Sequence, residues 1–127
     1  MPDTTSTKSA VITSALPYAN GEIHLGHIAS TYLPADIFTR FLRLNGLKAY
    51  HICATDDFGT PILIRSEKEK KSPSDYVEYW NKHDKEDFES LGISFDFFSR
   101  LAPKKMLSLF SMFLNNYTKM VIFTTRM

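Results

Sequence analysis

Two short apolar runs with one helical pattern between them constrain the fold more than any other feature. Residues 10–14 form a β-prone run that leads into a turn containing Pro17 and Asn20. A helical pattern then reaches Gly46, and residues 50–55 form a second run that is apolar on both faces. A strand of that kind is typical of a parallel sheet covered by helices on both sides. We therefore predict an α/β fold with a parallel sheet.

The later residues continue the same alternation. Thr60 precedes a proline and starts a predicted helix that reaches about Lys71, and Ser72 caps a second helix that stops at Gly92. Residues 95–98 are the predicted third strand. This order is that of a doubly wound sheet, which binds ligands at the carboxyl ends of its strands. Three strands alone would leave open edges, so we expect part of a Rossmann-like domain.

Composition narrows the class of protein. The chain has 127 residues and 43% hydrophobic residues, which fits one globular domain. We expect no membrane contact, because no apolar stretch reaches the roughly 18–20 residues that span a bilayer. Cys53 is the one cysteine, which excludes an intramolecular disulfide and a cysteine-based zinc site within this chain. A chain with one cysteine fits a reducing compartment, so a cytoplasmic location is expected. Residues 1–9 are expected to form a disordered leader.

The sequence changes character near Arg100. Residues 1–100 carry 11 basic and 14 acidic side chains, whereas residues 101–127 carry four basic and no acidic ones. All five glycines precede position 93, and four of the five methionines follow position 105. Such a break within one domain is unusual. We therefore predict two parts, a half-domain at 10–100 and an aberrant tail at 101–127.

The segment His24-Leu25-Gly26-His27 is the first candidate site. Two histidines three positions apart at the start of a helix share one face of its first turn. Backbone N–H groups and the helix dipole favour phosphate there, and Gly26 allows close approach of a ligand. The segment alone fits two surface histidines equally well. Metal binding is a poorer alternative, because no Asp, Glu or Cys lies nearby at matching spacing.

The neighbouring residues favour a binding site over two surface histidines. Residues 15–27, Ala-Leu-Pro-Tyr-Ala-Asn-Gly-Glu-Ile-His-Leu-Gly-His, closely resemble the nucleotide-binding motif of class I aminoacyl-tRNA synthetases, and the methionyl family in particular. Residues 52–61 resemble a loop of this family whose core sequence is Thr-Asp-Glu-X-Gly-Thr-Pro. Asp57 departs from that pattern, where the family has Glu or a small residue more often. The resemblance covers about residues 10–100 and implies the first half of a Rossmann-type catalytic domain.

The resemblance also implies roles for single residues. The implied catalytic residues are His24 and His27. Asp56 is expected to hold the methionine ammonium group, although a local turn residue is equally common at such a position. The implied methionine-binding residues are Ala15, Leu16, Tyr18 and Asp56. The implied ATP-binding residues are Tyr18, Asn20, Gly21, His24, Gly26 and His27.

The implied reaction is the ATP-dependent activation of methionine and its transfer to tRNA(Met). Mg²⁺ is expected with ATP, and no zinc site is expected in this chain. The family's Lys-Met-Ser-Lys-Ser loop does not occur in the sequence. Two alternatives remain open: a nucleotidyltransferase of the cytidylyltransferase type, which shares the two-histidine motif, and a non-catalytic binding fragment.

The tail can be read in another frame. Residues 115–126 can be encoded by codons that, read one nucleotide out of frame, give Gln-Leu-Tyr-Lys-Asn-Gly-Tyr-Ile-Tyr-Asn-Lys. This peptide resembles the sequence of the family. We therefore predict a frame shift after about Arg100 and a premature stop, which makes the chain a truncated and inactive fragment. The alternative is an amphipathic helix at 104–120. We expect the shifted tail to leave a sheet edge and apolar helix faces without their partners.

Overall fold

The computed structural model describes residues 9–101 and the backbone of residues 120–124. The strands are β1 (Ser9–Thr13), β2 (Lys48–Thr55), β3 (Phe97–Arg100) and β4 (Met120–Thr124). The helices are α1 (Leu25–His27), a π-helical segment (Ile28–Tyr32), α2 (Leu33–Leu44), α3 (Thr60–Lys68) and α4 (Pro73–Ser90). Among these described helices, none is long and apolar enough to span a membrane.

The four strands form one parallel sheet in the order β3-β2-β1-β4. Ala10 pairs with Ala49 on one side of β1 and with Val121 on the other. The predicted α/β class with a parallel sheet is confirmed, as part of a Rossmann-like domain. We expected the tail to leave a sheet edge without a partner, but residues 120–124 of the tail form β4 and pair with β1. Ser9 is also not part of a leader, since it is buried in β1.

The predictions for the outer segments fall partly outside the described residues. Residues 1–8 of the expected leader, and 104–119 of the alternative tail helix, lie there. Met120, the last residue of that alternative helix, lies in β4. The predicted third strand is shifted by two residues, from 95–98 to Phe97–Arg100.

The helices begin and end where local chemistry directs them. Pro34 occupies the first turn of α2, where the missing N–H costs nothing, so it starts a new helix after the π-helical segment. Helix α3 ends at Lys68, three residues before the predicted end. The Ser72 hydroxyl accepts a hydrogen bond from the Asp75 amide at 3.1 Å, which confirms the predicted cap of α4.

The buried clusters that include strand residues lie on one face of the sheet, because Ala10, Ile12, Ala49 and Cys53 occupy alternate positions of β1 and β2. One buried cluster joins the π-helical segment to α4 and β2 through Ile28, Tyr32, Cys53, Phe88 and Ile93. A second packs α2 against β1 and β2, and a third packs α3 against α4. The outer face of α2 stays exposed, with Leu44 at 87% exposure. The three clusters hold the carboxyl ends of β1 and β2 in place.

A buried histidine ties β2 to its neighbours. The His51 side chain is fully buried, with Nε2 at 2.8 Å from the Ser14 hydroxyl and Nδ1 at 3.0 Å from the Ser94 carbonyl. Burial lowers the pKa of His51, so the ring stays neutral at pH 7. These two contacts use both ring nitrogens and give His51 a structural role.

Candidate active site

The carboxyl ends of β1 and β2 bring the two sequence motifs together. Tyr18 and Asp56 form an isolated parallel bridge just beyond the strands. The Asp56 amide donates to the Pro17 carbonyl at 2.7 Å, and the Ala19 amide donates to the Asp56 carbonyl at 3.1 Å. The two loops are therefore fastened to each other by backbone hydrogen bonds at the edge where such sheets bind ligands.

The two histidines lie side by side at α1. The Nδ1 atom of His24 accepts a hydrogen bond from the Gly26 amide at 2.9 Å. In the neutral ring this bond places the proton on Nε2, which can donate to a ligand. The His27 ring centre lies 5.9 Å from that of His24, at an interplanar angle of 63°. Both side chains are exposed, so the pair presents nitrogen donors to one solvent-facing region.

Gly26 has a different immediate task from the one expected. A Cβ atom at Gly26 would lie 2.9 Å from His24 Nδ1, closer than a carbon can approach. Any other residue here would push the His24 ring out of its capping position. Gly26 therefore fixes the ring from which a ligand would accept a hydrogen bond.

An open cleft of about 430 Å³ lies beside the histidines. Its wall includes five of the expected ATP-binding residues, Tyr18, Asn20, Gly21, His24 and His27. The rest of the wall is formed by Pro17, Glu22, Ile23, Arg65 and Asp84. The expected methionine-binding residues Ala15, Leu16 and Asp56 do not line this cleft. Ala15 and Leu16 directly precede its wall in sequence, and Asp56 is paired with Tyr18. Within the described ranges, no three His, Cys, Asp or Glu side chains group closely enough to hold a metal ion.

Asp56 combines a turn contact with partial exposure. Its Oδ1 accepts a hydrogen bond from the Phe58 amide at 3.3 Å, the local contact that the sequence left open. The residue is half-buried. A carboxylate has two oxygens, so one can close the turn while the other accepts a donor from a ligand.

Asp57 is held on both sides. Its carboxylate is 5% exposed and accepts hydrogen bonds from the Thr55 hydroxyl at 2.7 Å and from Arg100 Nε at 2.9 Å. Arg100 also lies 3.5 Å from the exposed carboxylate of Glu78. The departure from the family pattern at position 57 thus has a local partner, and the ion pair anchors the loop after β2 to the end of β3.

Gly59 sets the position of Tyr18. Its φ of 125° and ψ of 156° are open only to glycine, and a Cβ there would lie 2.6 Å from the Tyr18 hydroxyl oxygen. The phenol ring therefore rests against the backbone that begins α3. This contact places one wall of the cleft.

Cys53 and its neighbours close the base of the first loop. Burial raises the pKa of the Cys53 thiol to about 12, so it stays protonated and unreactive. Its Sγ lies 3.7 Å from the Ala15 carbonyl oxygen and 3.9 Å from that of Ser14. Leu16, by contrast, is 43% exposed. Ala15 is thus packed against the strand end, whereas Leu16 is free to contact a ligand.

Sequence reasoning missed two residues of the cleft wall. Arg65 lies in α3, is exposed, and donates from Nη1 to the Asn20 carbonyl, which puts a cation at the mouth of the cleft. Asp84 lies in α4, and both of its carboxylate oxygens are buried. In the sequence each looks like an ordinary charged helix residue, so no local pattern could have singled them out.

Comparison with known proteins decides the family. A family model described as "tRNA synthetases class I (M)" matches residues 10–126. The chain belongs to this family. It is 53% identical over 90 residues to a methionine–tRNA ligase of Rubrobacter xylanophilus, and 57% identical over 90 residues to one of Thermococcus onnurineus. A methionine–tRNA ligase of Salinibacter ruber is 44% identical over 104 residues.

These class I synthetases are much longer than the chain. The matches cover 71% to 82% of the chain but only 12% to 16% of the three relatives. All three relatives are methionine–tRNA ligases, in agreement with the methionyl family that the two sequence motifs resemble. The chain therefore corresponds to a short part of a methionine–tRNA ligase, and that part contains both motifs.

Proposed function

We propose that the chain supplies the first half of the catalytic site of a methionine–tRNA ligase. The observation that carries the proposal is the Tyr18–Asp56 bridge, which joins the two motifs beside the histidine cleft. A carboxylate oxygen of methionine attacks the α-phosphorus of ATP, a new P–O bond forms, and the bond to pyrophosphate breaks. A hydroxyl group of the terminal adenosine of tRNA(Met) then attacks the carbonyl carbon of the adenylate, and AMP leaves. The cytoplasm is the compartment in which we expect this reaction.

The histidines act on the phosphate oxygens in this proposal. Negative charge accumulates on those oxygens in the transition state, and nitrogen donors held in place stabilise it. His24 Nε2 is the free donor of its ring because Nδ1 is bound to the Gly26 amide. His27 supplies a second donor, and Arg65 adds a positive charge at the cleft mouth. Mg²⁺ is expected to arrive with the nucleotide, since phosphates provide many of its ligands.

The remaining ATP contacts come from the turn between β1 and α1. Asn20 and Gly21 shape the near wall of the cleft, and Tyr18 closes it from the side of α3. Rigid placement of these groups favours a reactive geometry by reducing the freedom of the bound nucleotide.

Methionine binding is proposed at the strand ends. Asp56 accepts the ammonium group, since a carboxylate at the end of a buried strand suits a small cation. Leu16 is exposed enough to pack against the substrate side chain, and Ala15 and Leu16 offer backbone groups to the amino acid. Tyr18 lies between the methionine and ATP sites, which suits contact with both substrates.

The 127-residue chain alone is expected to show no activity. The transition-state donors of the family are divided between two halves of the nucleotide site, and this chain holds the His24 and His27 half. Loss of one such donor typically lowers a rate by about 10²–10³. Loss of a whole loop that closes over the site lowers it further.

The frame shift remains part of the proposal. The family model extends through the tail to residue 126, while two of the three relatives align over 90 residues. Sequencing the gene on both sides of the codon for Arg100 tests it directly. A single continuous frame confirmed in independent genomic and transcript reads would contradict the frame shift.

Pyrophosphate exchange tests the function. The 127-residue chain and a version continued in the restored frame are compared, each with ATP and with or without methionine. We expect methionine-dependent exchange only in the restored version. Turnover with CTP and a phosphorylated alcohol would indicate a cytidylyltransferase instead. Binding of methionine or ATP without exchange by the restored version would indicate a non-catalytic fragment.

A further inference from the structure

Asp84 is a buried carboxylate in the wall of the histidine cleft. Its side chain lies on α4 and is 1% exposed, yet it faces the same cleft as His24 and His27. Neither Oδ1 nor Oδ2 has a hydrogen-bond partner among the described residues. A buried carboxylate without a partner is costly, so its presence needs an explanation.

The surroundings of Asp84 compensate little for its burial. On α4, Asp87 disfavours the ionised carboxylate and His83 favours it, and burial outweighs both. The groups that face it from the π-helical segment and from β2 are Tyr32 and Cys53, whose pKa values burial raises, so both are neutral at pH 7. Arg65 lines the same cleft but donates to the Asn20 carbonyl, so the carboxylate of Asp84 has no positively charged hydrogen-bond donor among the described residues.

A second unpartnered acceptor lines the same cleft. The side-chain oxygen Oδ1 of Asn20 is also buried without a hydrogen bond. Two acceptors that lack donors fit a ligand group rich in N–H bonds. An ammonium group offers three N–H donors and a full positive charge, whereas the amino and hydroxyl groups of a nucleotide are neutral.

We propose that Asp84 is a further substrate-binding residue, whose carboxylate accepts hydrogen bonds from the ammonium group of the amino acid. The inference rests on the proposed function, because it takes methionine as the substrate. Asp84 then supplies a second carboxylate for the group that the resemblance assigns to Asp56. Asp56 does not line the cleft, and its Oδ1 already accepts the Phe58 amide, so a second carboxylate is chemically useful.

The protonation of Asp84 supports this assignment. Burial, with a smaller contribution from Asp87, raises the pKa of its carboxyl to about 7. A bound ammonium group would favour the ionised carboxylate, so binding at pH 7 would release up to about half a proton per site. A purely structural carboxyl group would release none on binding.

Calorimetric titration of the 127-residue chain tests the proposal. The ligands are L-methionine, its desamino analogue 4-(methylthio)butanoate, and ATP, and the titrations are repeated in buffers of different ionisation enthalpy to count released protons. The variant is Asp84→Leu, which removes the carboxylate and is expected to fold because an apolar side chain suits the site. Glu86→Gln is the matched control, since it removes the same charge from the exposed face of α4.

We expect Asp84→Leu to weaken L-methionine binding at least tenfold and to abolish proton release. Binding of the desamino analogue and of ATP should stay within twofold, as should every affinity of Glu86→Gln. Equal affinity of wild type and Asp84→Leu for L-methionine would overturn the proposal. A loss confined to ATP would also overturn it, by moving the donor group to the nucleotide. A wild-type chain that binds neither substrate would contradict the proposed function of the chain as well.

Discussion

Asp57 and Asp84 are equally deep carboxylates with opposite surroundings. Each oxygen of Asp57 accepts one hydrogen bond, from Thr55 or from Arg100, so its charge is used within the fold. No described residue reaches either oxygen of Asp84. Burial alone therefore does not determine the role of a carboxylate. The satisfied carboxylate fastens the loop after β2, whereas the unsatisfied one keeps two buried acceptors without a donor.

The largest effect on stability is expected at the satisfied carboxylate. Asp57→Asn should lower the free energy of unfolding by about 2–3 kcal/mol, because a charge-assisted hydrogen bond is lost and Arg100 keeps its charge. Urea denaturation measures the change. Glu78→Gln is the control, since this exposed partner of the same Arg100 should contribute less than about 0.5 kcal/mol. Equal effects of the two variants would remove the distinction.

The opposite sign is expected at the unsatisfied carboxylate. Asp84→Leu should raise the free energy of unfolding at pH 7.5 by about 1–2 kcal/mol, because a buried polar group without a partner is replaced by an apolar one. The same denaturation experiment measures it. A destabilised variant would mean that Asp84 has a structural partner.

The pH dependence sharpens the comparison. The folded-state pKa of Asp84 is raised from 3.8 to about 7, so its contribution to stability is fully present below pH 3.8 and is lost as the pH rises towards 7. The stability advantage of Asp84→Leu over wild type should therefore shrink by more than half between pH 7.5 and pH 4.5. His83, Asp87, Tyr32 and Cys53 are present in both proteins and largely cancel in the difference. An advantage that is constant with pH would show that Asp84 is not desolvated.

The smallest stability effect is expected at the half-exposed carboxylate between these extremes. Asp56→Ala should change the free energy of unfolding by less than about 0.5 kcal/mol, since it loses one long turn contact. In the restored-frame enzyme it should weaken methionine binding about tenfold, because the ammonium group loses an acceptor. Calorimetry with methionine measures the affinity. An unchanged affinity would mean that Asp56 does not bind the ammonium group and that Asp84 is its carboxylate partner.

The sequence predicts the layout of the fold better than the contents of the cleft. Turn residues and caps such as Ser72 and Pro34 act locally, so they mark where helices begin, and the apolar run before Asp56 marks a strand of a parallel sheet. The pairing of β4 with β1 is a contact between distant segments, and no local pattern encodes it. The sequence therefore predicted three strands and not the fourth.

The residues of the candidate site also differ in whether a local sequence pattern predicts them. The two histidines and Asp56 belong to motifs with a recognisable spacing, and the structure brings their loops together. Arg65 and Asp84 reach the cleft from α3 and α4, where they are surrounded by other charged residues in sequence. Their importance depends on which face of a helix meets the cleft, and that is settled only by packing.

The most direct measurement of the central claim is methionine-dependent pyrophosphate exchange by the restored-frame enzyme with a His24 variant. His24→Asn keeps an acceptor for the Gly26 amide and removes the ring donor, and His83→Ala is the control outside the cleft wall. We predict that His24→Asn lowers the exchange rate by about 10²–10³ with little change in methionine affinity, while His83→Ala stays within twofold. An unchanged exchange rate in His24→Asn would contradict the assignment of the histidine cleft to the ATP phosphates.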